Sequence, residues 1–284
     1  MNAQVEEVRL SLGHIELAAH LFGPADGVPV IALHGWLDNA NSFALLAPRL
    51  KGLRIVALDL AGHGYSQHRP PGAGYALADY AHDVLRVAEQ LGWQRFALLG
   101  HSLGAIIAVQ LAAALPERVS HLALIDGVIP PTGAEQDAGE RLGLALQAQL
   151  RLDGKRKSVY KTLEEGVQAR MKGMVAVSLE AAELLAQRGL MPVPGGYSWR
   201  SDSRLTLPSP VRLSHAQAMA YVSRVRCPAC LVIAADGMLA RQHALLDQLP
   251  FEQTTLPGGH HLHLNDEQGA TLVADCINRF FGFA

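Results

Sequence analysis

The stretch Phe96-Ala97-Leu98-Leu99-Gly100-His101-Ser102-Leu103-Gly104 decides the fold, because an apolar strand runs directly into Gly-x-Ser-x-Gly and then into a helix. Gly100 and Gly104 give room for a sharp strand-to-helix turn that holds Ser102 in a strained backbone conformation at the top of a sheet. The helix that follows aims its N-terminus at the serine, so an anion beside Ser102 is favoured. This context reads as a nucleophile elbow. The plainer possibility, a serine that merely caps the helix 103–115, needs no catalysis.

Outward from the elbow, short apolar runs at Val30–Leu33, Ile55–Leu58, Leu122–Ile125 and Leu231–Ala235 alternate with helical segments, which the periodicity draws at about 77–92, 102–115, 239–249 and 266–281. That rhythm predicts an α/β fold: a mostly parallel sheet with helices on both faces. Two alternating segments, Val5–Leu12 and His14–Phe22, are split by Gly13 and predict an opening hairpin. From Pro130 to Arg224 the pattern changes to Ala, Leu, Gln, Lys and Arg at helical spacing, which reads as an inserted helical cap. Pro130-Pro131-Thr132-Gly133 opens the insertion and Pro208-Ser209-Pro210 punctuates it. The expected organisation is a core in two parts, 1–128 and 225–284, around a cap at 129–224.

Composition bounds the partners. The chain has 284 residues, 49% of them apolar, which is ample for a buried core. Lys plus Arg number 24 against 26 for Asp plus Glu, so no electrostatic footprint for nucleic acid or an anionic membrane is visible. The cluster Arg151, Lys155, Arg156, Lys157 and Lys161 has no interleaved aromatics and reads as a solvated face or loop. Glu6, Glu7 and Arg9 interrupt the N-terminal apolar residues, which does not fit a secretory signal. The apolar run Ala105–Leu115 falls short of the roughly 18 to 20 residues of a membrane span. Cys227, Cys230 and Cys276 suggest no disulfide framework, and Cys227-Pro228-Ala229-Cys230 precedes a strand, not the helix that would activate a thiol pair. A cytoplasmic location with a small-molecule partner is expected.

Further motifs stand in order along the core: His34-Gly35-Trp36 after Val30–Leu33, then Asp59-Leu60-Ala61-Gly62-His63-Gly64-Tyr65-Ser66, and Pro257-Gly258-Gly259-His260 near the end. With the elbow, these resemble the α/β-hydrolase family over both core segments. His34-Gly35-Trp36-Leu37-Asp38-Asn39 and Trp199-Arg200-Ser201-Asp202 resemble its serine-hydrolase-like branch.

The resemblance implies Ser102 as nucleophile and a histidine after the last strand as its base. A serine hydroxyl must hand its proton to a base as it attacks a carbonyl, and an imidazole, with an ordinary pKa near roughly 6.5, can take it and return it to the leaving group. His260 fits, with His261 next and His263 nearby. The acid that orients the base has two candidates. Asp126 ends the strand Leu122–Ile125; Asp236 follows the penultimate strand, where an ungapped alignment puts Met238 in the acid's usual place. Asp126 is preferred, Asp236 is the alternative, and both keep the order serine, acid, histidine. Asp59, also at a strand end, reads as structural.

The oxyanion that forms on attack needs preorganised donors, and the backbone amides of Leu103 and Trp36 are the candidates. His34 and His101, next to these loops, read as packing histidines. The cluster His260, His261 and His263 has no carboxylate or cysteine at ligand spacing nearby, so neither metal nor cofactor is expected. The expected activity is cleavage of a carboxylic ester or related acyl bond through an acyl-enzyme on Ser102, with an apolar acyl substrate. A carbon–carbon bond hydrolase or an acyltransferase would use the same triad, and a non-catalytic binding module would keep only the fold. A serine at 102 separates the chain from relatives of that fold that use an aspartate nucleophile.

Overall fold

The computed structural model describes residues 5–152 and 157–283. In chain order its strands and α-helices are β1 (Glu6–Ser11), β2 (Glu16–Phe22), β3 (Val28–Leu33), β4 (Leu53–Leu58), α1 (Leu77–Gln90), β5 (Phe96–His101), α2 (Leu103–Ala114), β6 (Val119–Ile125), α3 (Ala138–Leu152), α4 (Leu163–Met171), α5 (Leu179–Gly189), β7 (Leu190–Val193), β8 (Gly196–Trp199), α6 (His215–Arg224), β9 (Ala229–Asp236), α7 (His243–Leu246), β10 (Glu252–Gly259) and α8 (Glu267–Phe280). One eight-stranded sheet runs β1-β2-β4-β3-β5-β6-β9-β10. β1 pairs with β2, and β2 with β4, antiparallel; every other pair is parallel.

The central strands are apolar on both faces because both faces are covered. Ile31, Leu33, Phe96 and Leu98 pack into a core shared with α1 and α2, whereas Val30, Ala32, Ala97 and Leu99 face a second core that includes Val273 and Ile277 of α8. α2 is apolar on nearly every side and is buried along most of its length. The register aligns Leu33 with Gly100, Gly100 with Leu124 and Ile125 with Val232. The loops leaving β3, β5, β6 and β9 therefore gather at one sheet edge, and such carboxyl-terminal edges are where α/β sheets build their sites.

Between β6 and β9, α4 and α5 enclose a small core of their own, with Val167, Ala181, Ala182 and Leu185 around Leu264. α5 is tied to the sheet edge: Asn39 and Asn41 donate from their side-chain amides to the carbonyls of Leu185 and Leu184, at 2.9 and 2.7 Å. Its Arg188 reaches further in. The Nε lies 2.9 and 2.8 Å from the two oxygens of Asp59, Nη1 donates to Glu7 and His20, and the guanidinium stacks over Tyr65. Asp59 is fully buried and also accepts from the amides of Ala40 and Tyr65, which gives this strand-end carboxylate its structural job. Gly64 makes that possible, since a Cβ there would come within 2.3 Å of the Asp59 carboxylate. Removing one partner of a buried ion pair strands the other. Arg188→Met is expected to lower unfolding free energy by about 3 kcal/mol, read by chemical denaturation, and Glu7→Gln by far less.

Several details depart from the sequence reading. The segment before α6 contains a hairpin, β7–β8, as well as helices; its strands are four residues each, too short to show a period. The helix expected at 239–249 is only the single turn α7. Asp126 takes the amides of Met238 and Leu239, at 2.8 and 3.4 Å, and so holds the start of that segment off a helical path. Within the basic cluster, Lys155 and Arg156 lie outside the described residues. Lys157 is exposed, as expected of a solvated loop, and its Nζ also donates to the carbonyls of Trp199, Arg200 and Ser201, with partial burial lowering its pKa. Among the described residues, no helix is long and apolar enough to cross a membrane.

Candidate active site

Ser102 stands between β5 and α2 with φ +51° and ψ −113°, one of three non-glycine residues with positive φ among the described residues. Such a conformation costs on the order of 1–3 kcal/mol and persists only where its surroundings enforce it. The Ser102 amide donates to Ile125 O at 3.0 Å. A Cβ on Gly104 would fall 1.9 Å from Leu33 O, and one on Gly100 would meet the backbone of Ala105 at 2.5 Å. Both glycines are thus required by close backbone approach, and the turn can take no other shape.

Asp126, directly after β6, also has positive φ, at +42°. Its amide donates to Val232 O, and its Oδ2 lies 2.6 Å from His260 Nδ1. The carboxylate can only accept, so Nδ1 carries the proton and Nε2 is left with its lone pair. Met238 N–H donates to the same Oδ2 at 2.8 Å, and a Cβ on Gly237 would strike that oxygen. Asp236 is exposed at the end of β9 and makes no side-chain hydrogen bond among the described residues. Gly127 brings the two loops together, because a Cβ there would lie 2.8 Å from Ser102 Cα. The structure thus pairs Asp126 with His260 and sets Ser102 beside the Asp126 loop, with no hydrogen bond from Ser102 Oγ to either partner.

The loop after β3 is held by two buried histidines. His34 Nε2 accepts from Leu60 N–H at 3.0 Å and its Nδ1 donates to Gly35 O; His63 Nε2 accepts from Leu37 N–H at 3.3 Å while its Nδ1 donates to Ala61 O. Burial lowers the His34 pKa to about 4 and that of His63 to about 3, so both act as neutral struts. With Leu37 N–H engaged there and Asp38 N–H on Gly35 O, the amides of Trp36 and Leu103 remain without a hydrogen bond among the described residues. The Trp36 indole donates to Leu205 O and its ring stays partly exposed.

Behind these loops lies a layer of buried polar groups. His101 Nε2 is 2.9 Å from His260 O, His261 Nε2 is 3.0 Å from Asp38 Oδ2, and His263 Nε2 is 3.0 Å from Ser42 Oγ. Arg170 of α4 donates to Asp38 Oδ1 at 2.9 Å. The Asp38 carboxyl sits well below its ordinary range: burial opposes this, but His261 and Arg170 beside it prevail. Burial, reinforced by neighbouring imidazoles, lowers His101 and takes His263 to about 3.

A sequence profile described as the alpha/beta hydrolase fold matches residues 28–153. The chain is 32% identical to a serine hydrolase-like protein of Danio rerio, over 96% of this chain and 88% of that protein. The chain belongs to the serine hydrolase-like branch of the α/β hydrolases. A crystal structure of a hypothetical protein from Pseudomonas aeruginosa PAO1 is similar to this hydrolase, with 66% identity, a TM-score of 0.96, and coverage of 98% and 100% of the two chains. A thioesterase domain from the curacin biosynthetic pathway follows the same fold at 25% identity and a TM-score of 0.84, covering 97% of this chain and 99% of that domain.

Three residues of this α/β hydrolase escaped the sequence reading as site neighbours. Asp38, Arg170 and Arg188 have no local signal, because each charge is matched only across the tertiary structure. The one available hint was Asp38 inside the His34–Asn39 motif.

Proposed function

We propose that this α/β hydrolase cleaves a carboxylic ester or related acyl bond, with Ser102 as nucleophile, His260 as base and Asp126 as the acid that orients it. The observation that carries this reading is the strained backbone of Ser102, beside a loop whose carboxylate meets His260 Nδ1 at 2.6 Å. Ser102 Oγ attacks the acyl carbon while its proton passes to His260 Nε2. The carbonyl oxygen, now an anion, is received by the amides of Leu103 and Trp36, each donor worth about 10²–10³ in rate. The intermediate collapses, the alcohol leaves with the proton from His260, and water attacks the acyl-enzyme by the same route to release the acid. The Asp126 carboxylate supports the imidazolium at both stages.

The rim supports an apolar acyl group. Trp36 on the oxyanion loop is 38% exposed, and Met238, whose amide is bonded to Asp126, is 55% exposed. The helical segment 129–224 serves as the cap over this opening in our reading.

Labelling with a broad serine-reactive phosphonate tests the nucleophile. One adduct per chain is expected, mapped to Ser102 and lost in Ser102→Ala. A folded protein that takes up no label would count against an activated serine and favour a binding module of the same fold.

A further inference from the structure

We propose that Asp38, His101 and His261 form a divalent-metal site, suited to Zn²⁺, behind the oxyanion loop and next to His260. Asp38 Oδ2, His101 Nδ1 and His261 Nε2 lie within 4.8 Å of one another, and all three residues are buried. His101 supplies the decisive observation. Its Nε2 faces a backbone carbonyl, which can only accept, so that nitrogen bears the proton. In the neutral ring Nδ1 then presents a lone pair. Among the described residues this Nδ1 has no hydrogen-bond partner, and 3.9 Å away stands Asp38 Oδ2, which His261 Nε2 meets at 3.0 Å. A cation in place of the hydrogen between Asp38 and His261 would also serve the lone pair of His101, with the His261 proton moving to its own Nδ1.

Two of the three separations lie near the dimensions of a zinc site, and the third is within 4.8 Å. Zinc bonds to imidazole and carboxylate of about 2.0–2.1 Å in a tetrahedron place neighbouring ligand atoms about 3.3 Å apart. The Asp38–His261 separation of 3.0 Å and the Asp38–His101 separation of 3.9 Å bracket that value. Gly35 borders the approach: a Cβ there would lie 2.9 Å from His101 Nδ1 and 3.1 Å from Asp38 Oδ2. Arg170 grips Asp38 through the other oxygen, Oδ1, while Oδ2 faces the nitrogens of His261 and His101. The same guanidinium nitrogen is 3.3 Å from His261 Nε2 and must release it on binding. Two imidazoles and one carboxylate favour zinc over magnesium or calcium, which prefer oxygen alone. The carboxylate absent from the His260–His263 sequence neighbourhood is thus supplied by Asp38, more than two hundred residues earlier in the chain.

An ion here would fix His101, next to Ser102 in the chain, and His261, next to His260. Any effect on turnover rests on the proposed function; binding itself does not.

A second group, His14, His82 and Asp83, can also attract metal and is mostly exposed, so the test uses the doubly substituted His14→Gln/His82→Gln protein. Equilibrium dialysis against Zn²⁺ should give one ion per chain, with a rise in Tm as expected for a ligand of the folded state. Co²⁺ in place of Zn²⁺ should give the visible absorption of a four-coordinate nitrogen and oxygen site, a readout that needs no change in the core. Affinity should fall at least tenfold in His261→Gln and in Gly35→Ala, and should be unchanged in Ser102→Ala. Failure to bind one ion, an octahedral Co²⁺ spectrum, or binding undiminished by both core substitutions would overturn the site. Zinc binding without phosphonate labelling would defeat the catalytic reading and leave this one standing.

Discussion

Asparagine in place of Asp126 is expected to lower kcat/KM for a simple ester by about 10⁴-fold, the scale seen when a triad acid loses its charge. The reason lies in what Asp126 holds. One of its oxygens takes both His260 Nδ1 and Met238 N–H, and the other takes the amides of Ala234 and Leu239. Asparagine has only one acceptor oxygen. If that oxygen keeps the amides, its NH₂ group turns to His260 Nδ1, and the imidazole proton must move to Nε2, where it blocks acceptance from Ser102. The loss should fall on kcat, with KM little changed. Asp236→Asn, at an exposed strand end, should stay within about twofold. Steady-state kinetics on both variants settles the assignment, and the reverse ranking would sink it.

Acidification from pH 7 to about 4.5 should unfold the protein without any carboxylate being the main cause. His34, His63, His101 and His263 are all buried and all have lowered pKa values, to about 4 for His34 and about 3 for His63 and His263. In the unfolded chain each returns to 6.5. A histidine whose folded pKa is depressed contributes its stability fully above the unfolded value. That contribution is lost as pH falls from 6.5 toward the folded value, because only the unfolded chain takes up the proton. Each such group removes about 1.4 kcal/mol per pH unit in that window, and four acting together remove about 5 kcal/mol per unit. Total stabilities are about 5–15 kcal/mol, so the loss is decisive. Chemical denaturation at a series of pH values should show the steepest decline between about pH 6 and 4.5. A flat profile over that range would mean that these imidazoles are already charged in the fold.

Much of this was legible in the chain because it is local. The elbow combines an apolar strand, two glycines and an apolar helix, and each feature follows from a backbone constraint within a few residues of Ser102. The central strands read clearly because both faces are buried, which leaves runs such as Val30–Leu33 without polar interruption. Pairings across the fold were not legible. Asp126 and Asp236 are both carboxylates at strand ends, and only the path of the loop after β10 decides which one meets His260. The overdrawn helix at 239–249 has the same origin: Leu239, Leu245 and Leu249 are buried at helix-like spacing, yet Asp126 holds the amides at its start. Arginines in a segment rich in surface-type residues gave no sign that Arg170 and Arg188 would meet buried aspartates.

The contact between Gly104 and Leu33 has a consequence for how this scaffold tolerates change. Main chain rests on main chain there, and the loop bearing Trp36 begins immediately after Leu33. The spacing between the Leu103 and Trp36 amides is therefore set by this main-chain contact together with the His34 and His63 struts. Libraries that randomise Trp36, Met238 or the segment 129–224 should leave the two proposed oxyanion donors in register beside Ser102. The freedom to diverge in specificity thus rests on buried main chain and on glycines that leave it room, Gly104 among them.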